Sequence, residues 1–321
     1  MRVVIVGGTG HVGTYLVPRL ISAGHEVVSI SRGSREPYSP NAAWKSVKRI
    51  QLDREQEDDA GTFAGKVRDY RPDAVIDMIC FKLESAQQMV EALRGRVQHY
   101  LFCGSVWMHG HGVEVPTIED QARHPLEEYG IQKDAIDKYL ADQTKRNGFP
   151  ATSIHPGHIV GPGWNPVNPQ ANFNPDVFTK LAMGEELTIP NKGLETIHHV
   201  HADDVAQLFM RALNTWSAAN GEGFHAVSPK AITLRGFAEA MAAWFGQKAN
   251  LKYESFEDWA KSIEDDWDVE QTSTHLDHSP NHSIEKAQSL LGYAPRYSSL
   301  LAVQEAVTWL MKEGQVTVPE S

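Results

Sequence analysis

The first half of the chain alternates short apolar runs with stretches of helical period. Val3-Val4-Ile5-Val6 is continuous and mostly β-branched, the pattern of a parallel strand buried on both faces. Val12, Leu16, Leu20 and Ala23 then recur at helical spacing, and Gly24 is a good stop. Pro18 is a misfit in that helix, since it removes a hydrogen bond and should kink the helix or cost about 3 kcal/mol. Residues 26–30 read as a second strand, 47–52 as a weak third, 73–79 as a stronger one after Pro72, and 97–103 as another. Helical stretches fill 56–70, 84–94 and 127–147, and 151–155 closes the series as a last strand. This alternation predicts an α/β fold, a Rossmann-type doubly wound parallel sheet with helices on both faces.

After that strand the pattern changes. Residues 157–175 are rich in Gly, Pro and Asn, a long loop of the kind that usually carries function. Beyond it the elements are shorter. Leu187-Thr188-Ile189 reads as a strand. Asp203 or Asp204 caps a helix carrying Val205, Leu208, Phe209, Ala212 and Leu213, Thr233 opens another, and Leu300 to Met311 is the last. Their apolar stripes are core. The division expected is a first α/β domain over 1–156 and a smaller mixed α/β lobe over 157–321, with segments such as 197–216 returning to the first domain.

Charge narrows the partners. Thirty basic against 41 acidic residues give a net charge of −11, which argues against nucleic acid or an anionic membrane as the main partner. The two cysteines, Cys80 and Cys103, end apolar runs and read as buried free thiols in a reducing compartment. No apolar run approaches the ~20 residues of a membrane span. The first strand begins by residue 2 or 3, leaving no room for a signal peptide, so a soluble cytoplasmic protein is expected.

The chemistry begins at the turn after the first strand. Gly8-x-Gly10-x-x-Gly13 fits the dinucleotide fingerprint, and Gly7-x-x-Gly10-x-x-Gly13 a close variant. These glycines serve a tight turn, close approach to a pyrophosphate, and packing of helix on strand. The helix start at His11 and Val12 offers N–H groups and a positive dipole end to the phosphates. Arg32 lies nineteen residues past Gly13, where an acid would grip the ribose 2′-hydroxyl of NAD; an arginine there favours the 2′-phosphate of NADP. The alternative is a solvated arginine beside an NAD site of loose preference. Asp53, ending the third strand, is placed to reach the adenine.

Tyr129 and Lys133 stand at i and i+4, on one face of a predicted helix. An ammonium near a phenol favours phenolate and lowers its pKa. Such a tyrosine can move a proton on or off a substrate oxygen while hydride passes between substrate carbon and nicotinamide. The strand Tyr100-Leu101-Phe102-Cys103 ends at Gly104-Ser105, on the sheet edge where ligands bind, and the Ser105 hydroxyl can hold the reacting oxygen.

Taken together these stretches resemble the extended short-chain dehydrogenases/reductases of the NAD(P)-dependent epimerase/dehydratase family. The likeness takes in the glycine turn, Tyr100 through Gly110, the Tyr129/Lys133 pair, His155-Pro156-Gly157-His158 through Pro162, His201 through Ala206, and Ser283 through Pro295. The resemblance implies Ser105, Tyr129 and Lys133 as catalytic residues, with Lys133 also holding the nicotinamide ribose. It sets His155, Pro156 and His158 beside the nicotinamide. Val106-Trp107 stand where the family's 4,6-dehydratases carry Asp-Glu, so dehydration is discounted. His155 replaces a usual Arg and His109 a usual Tyr. The Arg32-Gly33 loop and Asp53-Arg54 also resemble a branch that includes chloroplast stem-loop-binding proteins, some of which bind RNA.

The activity expected is Tyr-assisted hydride transfer on a hydroxyl or carbonyl of a sugar, sugar nucleotide or similar polar small molecule, by an NAD(P)-dependent oxidoreductase or epimerase. The rivals are an NADPH-dependent carbonyl reductase on a non-sugar substrate and a non-catalytic cofactor-sensing or RNA-binding relative. Trp107, Trp164, Asn165 and His199 are the candidate substrate contacts. Neither His198/His199/His201 nor His275/His278/His282 has evident metal geometry, and no metal is expected. The resemblance suggests a homodimer through the helices at 84–94 and 127–147.

Overall fold

The computed structural model describes residues 1–319. Its centre is a seven-stranded, all-parallel sheet. In chain order the first elements are β1 (Arg2–Val6), α1 (His11–Ser22), β2 (Glu26–Ser31), β3 (Lys48–Gln51), α2 (Arg54–Asp59) and α3 (Phe63–Asp69). Then come β4 (Ala74–Asp77), α4 (Leu83–Leu93), β5 (His99–Cys103), α5 (Glu128–Asn147) and β6 (Ala151–Pro156). The strand order is β3-β2-β1-β4-β5-β6, closed at the far edge by the strand Gly223–Ala226. The order reverses direction between β1 and β4, and such a switch point opens a crevice at the carboxyl ends of the strands.

β1 shows why its run is apolar at every position. Val3 and Ile5 face a core shared with α1 and the helix Ala202–Asn214, while Val4 and Val6 face a second core with α3 and α4. With a period of two, each face takes alternate residues. α1 runs unbroken through Pro18, in an otherwise consistent apolar stripe. The helix predicted over 56–70 is instead two short ones, because the chain turns at Gly61 with φ +67°.

Beyond the segment 197–216, further parts of the C-terminal half pack on the central sheet. The strand Gly223–Ala226 pairs in parallel with β6, and Ile284, Ala287, Leu291 and Tyr293 join the first core. What remains forms a separate core around Phe178, Leu187, Ile189, Phe237, Met241 and Val307. In the helix Ala202–Asn214 the cap is the His201 ring, which accepts from the Asp203 N–H; Asp203 and Asp204 do not cap it. Asp203 pairs with Arg19 and Arg296, and Asp204 accepts from the Arg296 and Tyr297 N–H groups. Cys80 and Cys103 are buried free thiols. Among the described residues no helix is long and apolar enough to cross a membrane.

Candidate active site

The glycine turn sits at the switch point and is built by close approach. Gly7 adopts φ +87°, a conformation that favours glycine. A Cβ on Gly13 would lie 2.0 Å from the Gly8 carbonyl oxygen, so α1 can press on the turn only without a side chain there. Gly10 is different, since a Cβ would meet only the Gly7 carbonyl oxygen, at 3.3 Å. Gly10 caps α1 without a side-chain bond, and the N–H groups of His11, Val12 and Gly13 find no acceptor among the described residues. Those donors and the helix dipole fit a diphosphate. Trp164, from the long loop, stacks on the His11 ring and donates its indole N–H to the Ile159 carbonyl. It therefore covers the glycine turn and is not placed against Tyr129.

On the β2–β3–β4 side of the crevice is a cleft of about 350 Å³, lined by Arg32, Asp53, Ile79 and Phe81 among others. Arg32 is exposed and has no carboxylate partner among the described residues. Asp53 caps α2 by accepting from the Glu55 N–H. Arg54, next to it, is buried between Asp58 and Asp77, and Tyr100 donates to Asp77 at 2.8 Å. That pairing fastens α2 to the end of β4 and so shapes the cleft floor.

On the other side of the switch point, Ser105 follows β5 and accepts from the Trp107 N–H at 3.2 Å. Tyr129 leaves 42% of its surface exposed, but its phenol end is desolvated and has Ser105 as a neighbour. Burial of that end, reinforced by Cys103 and opposed by Ser105, pushes the phenol up to about 12. Lys133 lies one turn on and is fully buried, donating to the carbonyls of Cys80 at 2.9 Å and Cys103 at 2.7 Å. Its Nζ is 5.7 Å from the Tyr129 ring centre. The expected lowering of the Tyr129 pKa by Lys133 is thus not found. Two of the ammonium's N–H groups go to the carbonyls of Cys80, in the loop after β4, and Cys103, at the end of β5, and desolvation dominates the phenol.

The pocket beside Tyr129 is aromatic and imidazole-rich. Trp107 meets the Tyr129 ring edge-on at 6.1 Å and stacks on His278 at 4.3 Å. His158 and His275 close the group, with ring centres 4.8 Å apart. Burial holds His275 at about 4 and His158 well below the usual range, so both are neutral at physiological pH. His275 and His278 were legible only as members of a loose histidine group.

Other expected contacts are structural. His155 is wholly buried between Gly104 and Gly223 and meets Asp137 of α5 at 3.0 Å, which leaves it no face toward a nicotinamide. Against the penalty of burial, His155 and Arg123 hold the Asp137 carboxyl well below the usual carboxylate range. Pro156 is buried at the end of β6, in register with Ala226. His199 is buried and anchors the long loop through the Val167 carbonyl at 3.0 Å. Asn165 orders the same loop through the Phe173 carbonyl.

A model of the NAD dependent epimerase/dehydratase family matches residues 3–225. The chain is similar to the 2'-dehydrokanamycin reductase of Streptomyces kanamyceticus, 27% identical over 98% of this chain and 86% of that protein. It is also similar to the chloroplast stem-loop binding protein of 41 kDa b of Arabidopsis thaliana, 26% identical over 92% of this chain and 75% of that one. Among solved structures, the UDP-glucose 4-epimerase of Thermotoga maritima with UDP-glucose aligns with a TM-score of 0.73 at 19% identity, covering 98% and 99% of the two chains. The switch-point crevice, the glycine turn and the family match agree: the chain belongs to the NAD-dependent epimerase/dehydratase family, enzymes of the extended short-chain dehydrogenase/reductase type.

Proposed function

We propose that the protein is an NADP-dependent oxidoreductase that reduces a carbonyl, or oxidises the matching hydroxyl, on a polar carbohydrate-like molecule. The observation that carries this reading is the desolvated Tyr129 phenol beside Ser105, at the switch point shared with the glycine turn. The nicotinamide, when bound, supplies or accepts the hydride. Tyr129 gives its proton to the substrate oxygen, and a phenol held near 12 is protonated at neutral pH, as reduction requires. Ser105 offers a second hydroxyl to the same oxygen. Lys133 ties the Cys80 and Cys103 carbonyls together beneath Tyr129, and its third N–H remains for the nicotinamide ribose. Arg32 supports NADP over NAD, being a cation just past β2 with no carboxylate partner among the described residues.

Trp107 and the neutral His158 and His275 favour an uncharged polyol face by stacking and hydrogen bonding. The reductase similarity, 27% identical over 98% of the chain, exceeds that to the UDP-glucose 4-epimerase of Mycolicibacterium smegmatis, 24% identical over 77% of it. The test offers NADPH and NADH to the enzyme with 2'-dehydrokanamycin and with UDP-glucose, and measures nucleotide retained by freshly purified, denatured protein. Exchangeable cofactor and NADPH oxidation with the ketone support a reductase. Tightly retained NAD with conversion of the sugar nucleotide would replace it with an epimerase. An RNA-binding role is disfavoured by the net charge of −11 and the intact Ser105/Tyr129/Lys133 set. Steeply salt-dependent binding of stem-loop RNA would revive it.

A further inference from the structure

Behind the Ser105 turn, three buried histidines converge from distant parts of the chain. His109 ends the turn Val106–His109, His225 lies on the sheet-edge strand Gly223–Ala226, and His282 precedes the helix Glu285–Leu291. One ring nitrogen from each lies within 4.8 Å of the others. The ring centres of His225 are 4.9 Å from those of both His109 and His282. We propose that His109, His225 and His282 form a site for one divalent transition-metal ion, zinc foremost, that ties the Ser105–His109 turn to the sheet edge.

The hydrogen bonds support this in three ways. First, His225 Nδ1 faces the Ser283 carbonyl at 3.1 Å, which fixes the proton on Nδ1 and leaves the Nε2 lone pair aimed at His109 Nε2, 2.9 Å away. A carbonyl on the far nitrogen is the usual orienting partner of a metal-bound imidazole. Second, both ring nitrogens of His282 are buried without a partner, as is Nδ1 of His109. Unpartnered buried nitrogens are costly, and a metal ion removes part of that cost. Third, all three rings are buried, which disfavours the imidazolium and leaves ring lone pairs for a metal.

The surroundings suit a dication. Glu119 lies 3.8 Å from His225 Nδ1, and Asp134 and Asp137 face Arg123 close by, with the exposed Lys138 on Asp134. The carboxylates of Glu119, Asp134 and Asp137 thus stand among Arg123, Lys138 and the His155 ring. On binding, the His109 proton moves from Nε2 to Nδ1, and no proton leaves the protein. Zinc–nitrogen bonds of about 2.0–2.1 Å set tetrahedral ligands about 3.4 Å apart, so the His109 and His225 nitrogens, now 2.9 Å apart, must separate slightly to share one ion.

The test uses untagged full-length protein purified without chelator. Elemental analysis should find one zinc per chain. Chelation should lower the melting temperature, and Co2+ added to the stripped protein should give the intense visible bands of a four-coordinate nitrogen site. His282→Gln should lose the metal and become insensitive to chelator, while His275→Gln, outside the cluster, keeps it. Failure of stripped protein to take up zinc at micromolar concentration overturns the proposal. So does zinc retained undiminished by His282→Gln. If His282→Gln does not fold, the wild-type cobalt spectrum decides alone, and pale six-coordinate bands overturn the site. None of these readouts depends on which substrate the enzyme uses.

Discussion

Gly10 and Gly13 stand three residues apart in one turn, yet replacing each with alanine should do opposite things. At Gly13 the new Cβ would lie 2.0 Å from the Gly8 carbonyl oxygen and 2.8 Å from its Cα. Either α1 or the turn must shift by about 1 Å, and overpacking of this kind typically costs about 1–3 kcal/mol. At Gly10 the new Cβ meets only the Gly7 oxygen at 3.3 Å, and the backbone (φ −77°, ψ −174°) is one that alanine adopts freely. Stability should then change by no more than about 1 kcal/mol, the usual difference between glycine and alanine at a helix cap. But the methyl would stand where a diphosphate must approach the uncapped N–H groups of His11, Val12 and Gly13. A loss of about 1.4 kcal/mol or more, a tenfold rise in Kd, is expected for NADPH and NADH alike. Urea unfolding and cofactor fluorescence titration on both variants separate the two effects. Wild-type cofactor affinity in a stable Gly10→Ala protein would refute the placement of the diphosphate at this turn.

Three further outcomes follow from the same geometry. Arg32→Ala should weaken NADPH by about 10–100-fold, the worth of a charge-assisted bond to phosphate, and leave NADH unchanged; equal losses for both would deny Arg32 the 2′-phosphate. Since Tyr129 is pushed up to about 12, kcat/KM for carbonyl reduction should show no deprotonation of this group between pH ~7 and ~10 in a steady-state profile. An enzyme pKa in that interval that disappears in Tyr129→Phe would contradict it. Asp137 is depressed in the folded protein, so it contributes stability above the unfolded carboxylate pKa of about 3.9, lost as pH falls through the folded value. Asp137→Asn should therefore be less stable at neutral pH and show a flatter acid limb in denaturant midpoints measured against pH.

Much of this architecture was written locally. The glycine turn, the parallel strands and α5 each have a pattern contained within a few residues, and Ser105, Tyr129 and Lys133 fall on strand ends and helix faces that such patterns locate. What was hidden depends on contacts between distant segments. The last strand predicted for the central sheet was 151–155, because Gly223–Ala226 is short and its partner β6 lies far back in the chain. His155 looked like a cofactor contact from its neighbours in sequence, but two glycines and Asp137, all distant in sequence, enclose it. His199 and Asn165 have residue types that suit a polyol, yet both are used to order the long loop. The histidine trio at 109, 225 and 282 was invisible for the same reason: its members share no spacing and only the fold brings them together.

The central claim is that Tyr129 protonates the reacting oxygen during nicotinamide-dependent hydride transfer. Single-turnover oxidation of bound NADPH, with 2'-dehydrokanamycin and related keto-sugars as acceptors, tests it directly in wild type and Tyr129→Phe. The account predicts unchanged NADPH affinity in the variant and a rate at least about 100-fold lower, the scale of a lost general acid. A Tyr129→Phe enzyme that transfers hydride at the wild-type rate would contradict it.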